Sequence, residues 1–285
     1  MGEDRVVDIG AGRQLGYREY GRPDGAPVVN CHGGLVCGLD IAAFDDVARD
    51  AGIRLVSPDR PGLVRSDPAP DRTTAEWADD VAAMLDALSI ESAGVLGWSM
   101  GGQYALACAA RLPDRITNTV VIAGALPLDD EKTFSQLNAM DRRLTRLSLH
   151  HPHVASATFR TLGEIARHTP EVWAHLTTRG AVPDEASALD ALPDPAIANA
   201  AAAALEGGAG MVEEYCAWVR PWGFALEDVA GTVTIWHGDA DELVPPAWGK
   251  ELATRIPNAR LELRAGEGHF LGYVNQEQVL AEFIA

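Results

Sequence analysis

Basic residues are too few and too scattered to bind a polyanion. The chain has 23 Lys and Arg against 41 Asp and Glu, so its formal net charge is −18. DNA and RNA backbones are bound by clusters of Lys and Arg, and no such cluster occurs here. The composition therefore excludes nucleic acid and disfavours an anionic membrane surface as partners.

Cysteines and long apolar runs are also scarce. The four cysteines, Cys31, Cys37, Cys108 and Cys216, do not lie at the spacings typical of metal sites. The charged start, MGEDRVVDIG, lacks the apolar segment of a secretory signal, and no apolar run reaches the roughly 20 residues that span a bilayer. We therefore expect a cytoplasmic protein with free thiols, no metal and no membrane span.

Short apolar segments alternate with amphipathic ones over much of the chain, as in an α/β protein. Strands are predicted at Arg5–Ile9, Gln14–Tyr20, Ala26–Asn30, Ile53–Ser57, Ala93–Leu96, Ile116–Ala123, Thr232–Trp236 and Arg260–Arg264. Helices are predicted at Ile41–Ala51, around Trp77–Leu88, and at Met100–Arg111, Trp248–Arg255 and Gln276–Ile284. Runs that are apolar on both faces indicate a mostly parallel sheet of about eight strands, covered by helices.

The alternation stops between residues 127 and 229. This stretch has helical patterns interrupted by prolines at 152, 170, 183, 193 and 195, and it contains no convincing strand. We predict one α/β core, formed by residues 1–126 and 230–285, with a helical insertion at 127–229.

The sequence GWSMGG, residues 97–102, lies between a predicted strand and a predicted helix. A direct turn from strand to helix strains the backbone at its central residue, and large neighbours would collide with that tight path. The turn lifts the hydroxyl of Ser99 clear of the sheet, near the positive end of a helix. Ser99 is therefore a candidate nucleophile.

A serine hydroxyl needs a base to take its proton, usually a histidine oriented by a carboxylate. His269 in AGEGHFLGY follows the last predicted strand, and WHGDADELVPP offers Asp239, Asp241 and Glu242 after the strand before it. All of these residues follow the carboxyl ends of strands, where open α/β sheets bind their ligands.

The motifs HGG, DRPG, GWSMGG, HGDADELVP and GHF together resemble the α/β-hydrolase fold superfamily, in particular its serine hydrolases with an inserted helical cap. The resemblance implies the order nucleophile, acid, base, which fits Ser99, Asp241 and His269. The family pattern around the acid matches Gly238, Asp241 and Val244 better than it matches Asp239.

The resemblance also implies an oxyanion hole of two backbone N–H groups. They correspond to Met100, after the nucleophile, and to Gly34 in the loop after the third strand. Leu35 remains an alternative to Gly34, because the residues after HGG depart from the commoner family forms.

The activity that follows is hydrolysis of a carboxylic ester of a small or medium apolar substrate, without cofactor or metal. A C–C bond hydrolase, a lactonase, a thioesterase or a perhydrolase would carry the same residues. A ligand-binding protein that keeps the fold without hydrolysis is a further alternative. The oligomeric state is not determined by the sequence.

Overall fold

The computed structural model describes residues 3–177, 181–192 and 196–284. Within these ranges the strands form one sheet, in the order β1-β2-β4-β3-β5-β6-β7-β8. The strands are β1 (Arg5–Asp8), β2 (Gln14–Gly21), β3 (Ala26–Cys31), β4 (Ile53–Pro58), β5 (Ala93–Trp98), β6 (Ile116–Ile122), β7 (Thr232–Gly238) and β8 (Ala259–Arg264).

The sheet is mostly parallel. β2 pairs antiparallel with both β1 and β4, and every pair from β4 to β8 is parallel. The predicted eight-stranded α/β fold is therefore confirmed. Because β3, β5, β7 and β8 run in one direction, the loops after them open at the same edge of the sheet.

Helices occur before, between and after these strands. They are α1 (Asp45–Asp50), α2 (Trp77–Ala87), α3 (Gly101–Arg111), α4 (Glu131–Phe134), α5 (Ala139–His150), α6 (Pro152–His168), α7 (Pro170–Thr177), α8 (Pro183–Asp190), α9 (Ala196–Leu205), α10 (Ala209–Trp218), α11 (Pro246–Arg255), α12 (Leu271–Val274) and α13 (Gln276–Ala281). Short 3₁₀ helices lie at Asp40–Phe44 and Leu226–Asp228.

Between β6 and β7 the described residues contain helices and no strand. We call α4 to α10 the inserted helices. Pro152, Pro170 and Pro183 are the first residues of α6, α7 and α8, because proline lacks only an N–H that the first turn leaves unpaired. The prolines at 193 and 195 lie outside the described residues.

The segment predicted as one helix over Ile41–Ala51 is in fact divided. A 3₁₀ turn at Asp40–Phe44 precedes α1. The buried carboxylate of Asp40 accepts hydrogen bonds from the Gly33 amide and the Asn30 side chain, which fixes this turn against the loop after β3. A tertiary contact thus overrides the local helical pattern.

Apolar side chains cover both faces of the sheet. Neighbouring strand residues point to opposite faces, and Val28 and Val29 accordingly belong to two different buried clusters. The larger cluster includes α2, α3 and residues of the inserted helices, and the smaller one includes α1, α12 and α13. Among the described residues no helix has the length and apolar character needed to cross a bilayer.

Candidate active site

Ser99 lies at the turn between β5 and α3 with a φ of 55°, in the left-handed region that side chains rarely adopt. Its amide donates to the Ile122 carbonyl at 2.8 Å, which ties the turn to β6. A Cβ added to Gly97 would lie 2.5 Å from the Gly101 carbonyl oxygen, and one added to Gly101 would lie 1.9 Å from that of Cys31. Only glycine therefore fits two residues before and two residues after this serine.

The structure brings Ser99, His269 and Asp241 into one hydrogen-bonded row. The His269 Nε2 lies 3.0 Å from the Ser99 Oγ, and the Nδ1 lies 2.9 Å from the Asp241 Oδ2. A carboxylate can only accept, so Nδ1 carries the proton and Nε2 is free to accept one from the serine. The Trp98 indole N–H donates to the His269 carbonyl at 3.0 Å and so holds the loop that carries this histidine.

The three acidic candidates after β7 occupy different environments. The buried Asp241 accepts from the amides of Leu243 and Val244 through Oδ1, which leaves Oδ2 for His269. The Asp239 side chain accepts from the Gly266 amide and joins two loops, whereas Glu242 is exposed. The geometry thus favours Asp241 as the partner of His269.

Opposing effects set the pKa values of this pair. Burial alone would lower the pKa of His269, but the charge and hydrogen bond of Asp241 outweigh it and raise that pKa above 6.5. Burial would raise the pKa of Asp241, yet interactions with His269 and the Val244 amide leave it lowered. A charged carboxylate and a basic imidazole are therefore both favoured.

A second histidine near the row has a different environment. His237 is buried, and this burial lowers its pKa, which favours the neutral ring. Its Nε2 lies 3.1 Å from the Val244 carbonyl, and the same nitrogen lies 3.5 Å from Asp241. His237 therefore supports the loop of Asp241 and does not reach the serine.

The loop after β3 borders the same cavity as Ser99 through Gly34 and Leu35, and Met100 borders that cavity as well. Within the described residues, the amides of Gly34, Leu35 and Met100 donate to no protein acceptor. They remain available to a bound oxygen atom.

Hydrogen bonds to the Gly33 carbonyl fix the orientation of the peptide between Gly33 and Gly34. The Gly33 carbonyl accepts from the Arg60 Nη2 at 3.0 Å and from the His32 Nδ1 at 2.9 Å. In a trans peptide the N–H points opposite to the preceding carbonyl, so the Gly34 N–H points away from Arg60 and His32. This orientation favours Gly34 over Leu35 as the second oxyanion donor.

The cavity beside Ser99 has about 690 Å³ of free space, including its opening. Its lining is mostly apolar, and the inserted helices contribute much of it, through Met140, Asp141, Trp173, Thr177, Ile197, Tyr215 and Trp218. Such a cavity suits a small or medium organic ligand.

Three residues beside the site were not predicted from the sequence. They are Trp98, Asp141 and Glu185. The buried Glu185 of α8 accepts from the Gly268 amide at 2.7 Å, directly before His269, and Tyr215 donates to Asp141. Trp98 lies within the serine motif, which is the signal that could have identified it, but no local pattern marks Asp141 or Glu185. Among the described residues no group of three or more His, Cys, Asp and Glu side chains is arranged to hold a metal ion.

Comparison with known proteins places this chain in a family. A family profile described as alpha/beta hydrolase fold matches residues 26–276. The pimeloyl-[acyl-carrier protein] methyl ester esterase of Aromatoleum aromaticum is 33% identical over 247 residues, which are 81% of this chain and 87% of that protein.

Solved structures agree on the fold. A bromoperoxidase from Bacillus anthracis superposes with a TM-score of 0.74 at 21% identity, over 99% of each chain. An enol-lactonase from Burkholderia xenovorans superposes with a TM-score of 0.70 at 19% identity, over 98% of this chain and 99% of the lactonase chain. At these identities the likeness concerns the fold alone. Since the family profile spans most of the sequence and an esterase is among the relatives, this chain belongs to the alpha/beta hydrolase fold family and is a hydrolase.

Proposed function

We propose that this hydrolase cleaves carboxylic esters of small or medium size through Ser99, His269 and Asp241. The observation that carries the proposal is the row of hydrogen bonds from Asp241 through His269 to Ser99, at the wall of a mostly apolar cavity. No cofactor or metal is required for this chemistry.

In the first step the Ser99 Oγ attacks the ester carbonyl carbon while the His269 Nε2 takes the hydroxyl proton. Asp241 holds the imidazole in the required tautomer and stabilises the imidazolium that forms. As the tetrahedral intermediate collapses, the C–O bond to the alcohol breaks and His269 returns the proton to the leaving alkoxide. The product is an acyl-enzyme on Ser99.

In the second step water attacks the acyl-enzyme, and His269 accepts a proton from it. Collapse releases the carboxylic acid and restores the Ser99 hydroxyl. The amides of Met100 and Gly34 stabilise the oxyanion in both steps, and one such donor contributes about 3 kcal/mol to the transition state.

We further propose that residues 127–229 form a cap over the site. The inserted helices supply cavity walls, and Glu185 from α8 accepts from the amide before His269. A cap in this position excludes water and selects the substrate by shape. The four cysteines are free, which supports the cytoplasm as the proposed compartment.

An ester is favoured over the alternative substrates because the relative at 33% identity is named a methyl ester esterase. Lactones, thioesters, ring-fission diketones and peroxide-dependent reactions use the same nucleophile and base. They are distinguished by assay, with p-nitrophenyl esters of increasing chain length measured beside representatives of each class.

The deciding experiment is labelling with a fluorophosphonate, which reacts with an activated serine. Wild-type protein should label at Ser99 and hydrolyse p-nitrophenyl esters, and Ser99→Ala should lose both while keeping its circular dichroism spectrum. Ser135→Ala removes an exposed hydroxyl from the inserted segment and should behave like wild type. Folded wild-type protein that neither labels nor turns over any of these substrates would leave a ligand-binding role instead.

A further inference from the structure

Among the residues that the structure describes, one charged side chain outside the catalytic row lines the cavity. It is Asp141 of α5, which is partly exposed, and no other Asp, Glu, Lys or Arg is among these described lining residues. The other walls from the inserted helices are aromatic, aliphatic or hydroxyl-bearing. A carboxylate in such surroundings is costly unless its charge is compensated.

Neutral groups hold Asp141 in place without compensating its charge. The Tyr215 hydroxyl donates to Oδ1 at 2.8 Å, and the Asn138 side-chain amide donates to Oδ2 at 2.7 Å. Within residues 3–177, 181–192 and 196–284, Asp141 forms no ion pair with Lys, Arg or His. Burial raises the pKa of Asp141, although both donors and the nearby His269 oppose the rise.

The start of α5 does not require this charge. The Asn138 side chain caps the helix by accepting from the Asp141 amide at 3.0 Å, and an asparagine at position 141 could still accept from the Asn138 side-chain amide. The charge itself adds only the modest interaction of an acidic residue with the helix dipole. Helix capping therefore leaves the ionised form of Asp141 unexplained.

When His269 is neutral, the negative charges near the cavity are Asp141 in its wall and the buried Asp241 bonded to His269, and no Lys or Arg is among the lining residues that the structure describes. The net charge of −18 adds a long-range field that attracts cations. A positively charged ligand would supply the compensation that the described residues do not.

We propose that Asp141 forms a subsite for a protonated amine, so that the preferred ester carries an ammonium group away from the bond that Ser99 cleaves. The ammonium N–H donates to an Asp141 oxygen, and Tyr215 and Asn138 keep the carboxylate oriented. The rest of the substrate contacts the apolar walls. The identity of the substrate class rests on the proposed ester hydrolysis, whereas amine binding at Asp141 does not.

The test compares isosteric esters that differ in one charged nitrogen. One pair is dimethylaminoethyl butyrate and isopentyl butyrate, with the amine on the alcohol side. The other is the methyl ester of ω-dimethylaminopentanoic acid and that of its isopropyl isostere, with the amine on the acyl side. The readout is the kcat/KM ratio of amine to isostere at neutral pH.

For at least one pair, Asp141→Asn should lower this ratio by about tenfold or more, because a charge-assisted hydrogen bond is replaced by a neutral one. Asp79→Asn is a matched control, since Asp79 is also the third residue of its helix but is exposed on α2. It should keep the wild-type ratio. Tyr215→Phe removes the hydroxyl that orients the Asp141 carboxylate but keeps its charge. It should therefore lower the ratio by a smaller factor than Asp141→Asn does.

Binding of dimethylbutylamine, followed by NMR titration, separates the subsite from catalysis. Wild type and Ser99→Ala should bind the amine alike, and Asp141→Asn should bind it about tenfold more weakly. An unchanged ratio in Asp141→Asn for both ester pairs overturns the substrate preference. Wild-type protein that does not bind the amine overturns the subsite, with no variant needed. Binding of the amine without fluorophosphonate labelling would retain the subsite and reject the proposed hydrolysis.

Discussion

His269 is the residue whose charge state controls the proposed reaction, since only the neutral imidazole can take the Ser99 proton. Its position after β8 follows from sequence motifs, but its hydrogen bonds depend on loops that come from β5 and β7. The neighbouring Asp241 favours the protonated ring and so shifts the titration upwards. The pH dependence of activity therefore reports this contact directly.

We expect kcat/KM for an uncharged ester to rise with pH and to level off above the histidine titration. Because the pKa of His269 is raised, the midpoint should lie above 6.5. In Asp241→Asn the midpoint should fall, and kcat should drop about ten-thousandfold because the tautomer is no longer fixed. Stopped-flow pH profiles measure both, and a rate independent of pH between 5 and 8 would contradict His269 as the base.

At the scale of elements, a buried ionic network joins the inserted helices to the core. Glu214 of α10 lies between Arg60, at 2.5 Å from its Nε, and Arg72, and all three side chains are buried. Arg60 also donates to the carbonyls of His32 and Gly33, and its guanidinium stacks on the Tyr104 ring. The network therefore connects α10 to the loop that carries the proposed oxyanion donor.

Glu214→Gln should lower the free energy of unfolding by about 3 kcal/mol, since it leaves the buried Arg60 without an anion and leaves Arg72 with only Glu213, 3.9 Å away. It should also lower kcat more than it changes KM, because Arg60 then holds the Gly33 carbonyl less firmly. Urea unfolding and steady-state kinetics with a neutral ester measure these effects. Glu227→Gln breaks an exposed pair with Arg255 and should change neither quantity. Equal behaviour of the two variants would show that the network does not couple α10 to the site.

At the scale of the whole molecule, the inserted helices and the sheet share one buried cluster of apolar side chains. Polar contacts cross between them as well, from Glu185 to Gly268 and from Trp248 of α11 to Gln136. Two parts that share a core and buried polar contacts should unfold cooperatively.

We expect a single urea transition for the entire chain. Circular dichroism measures the helix content, to which the inserted helices contribute. Labelling of the buried Cys108 thiol reports the separation of α3 from the sheet. Both signals should have the same midpoint. Loss of helical signal at a urea concentration where Cys108 stays protected would show that the inserted helices unfold separately.

The sequence by itself determined the α/β fold and most strand positions, because apolar runs and glycine turns are local patterns with local causes. It also supplied Ser99, Asp241 and His269 as candidates, since each lies in a recognisable motif directly after a strand. The split of the helix predicted at Ile41–Ala51 was missed, because the buried contacts of Asp40 with Gly33 and Asn30 decide it.

Only the tertiary structure decided what surrounds the proposed nucleophile. It favoured Gly34 over Leu35 through the contacts of Arg60 and His32 with the Gly33 carbonyl. It also placed Asp141 in the cavity and Glu214 between two arginines, although no short-range pattern marks either residue. Their roles depend on how α5 and α10 pack over the sheet edge, and such packing brings together residues that are remote in the sequence.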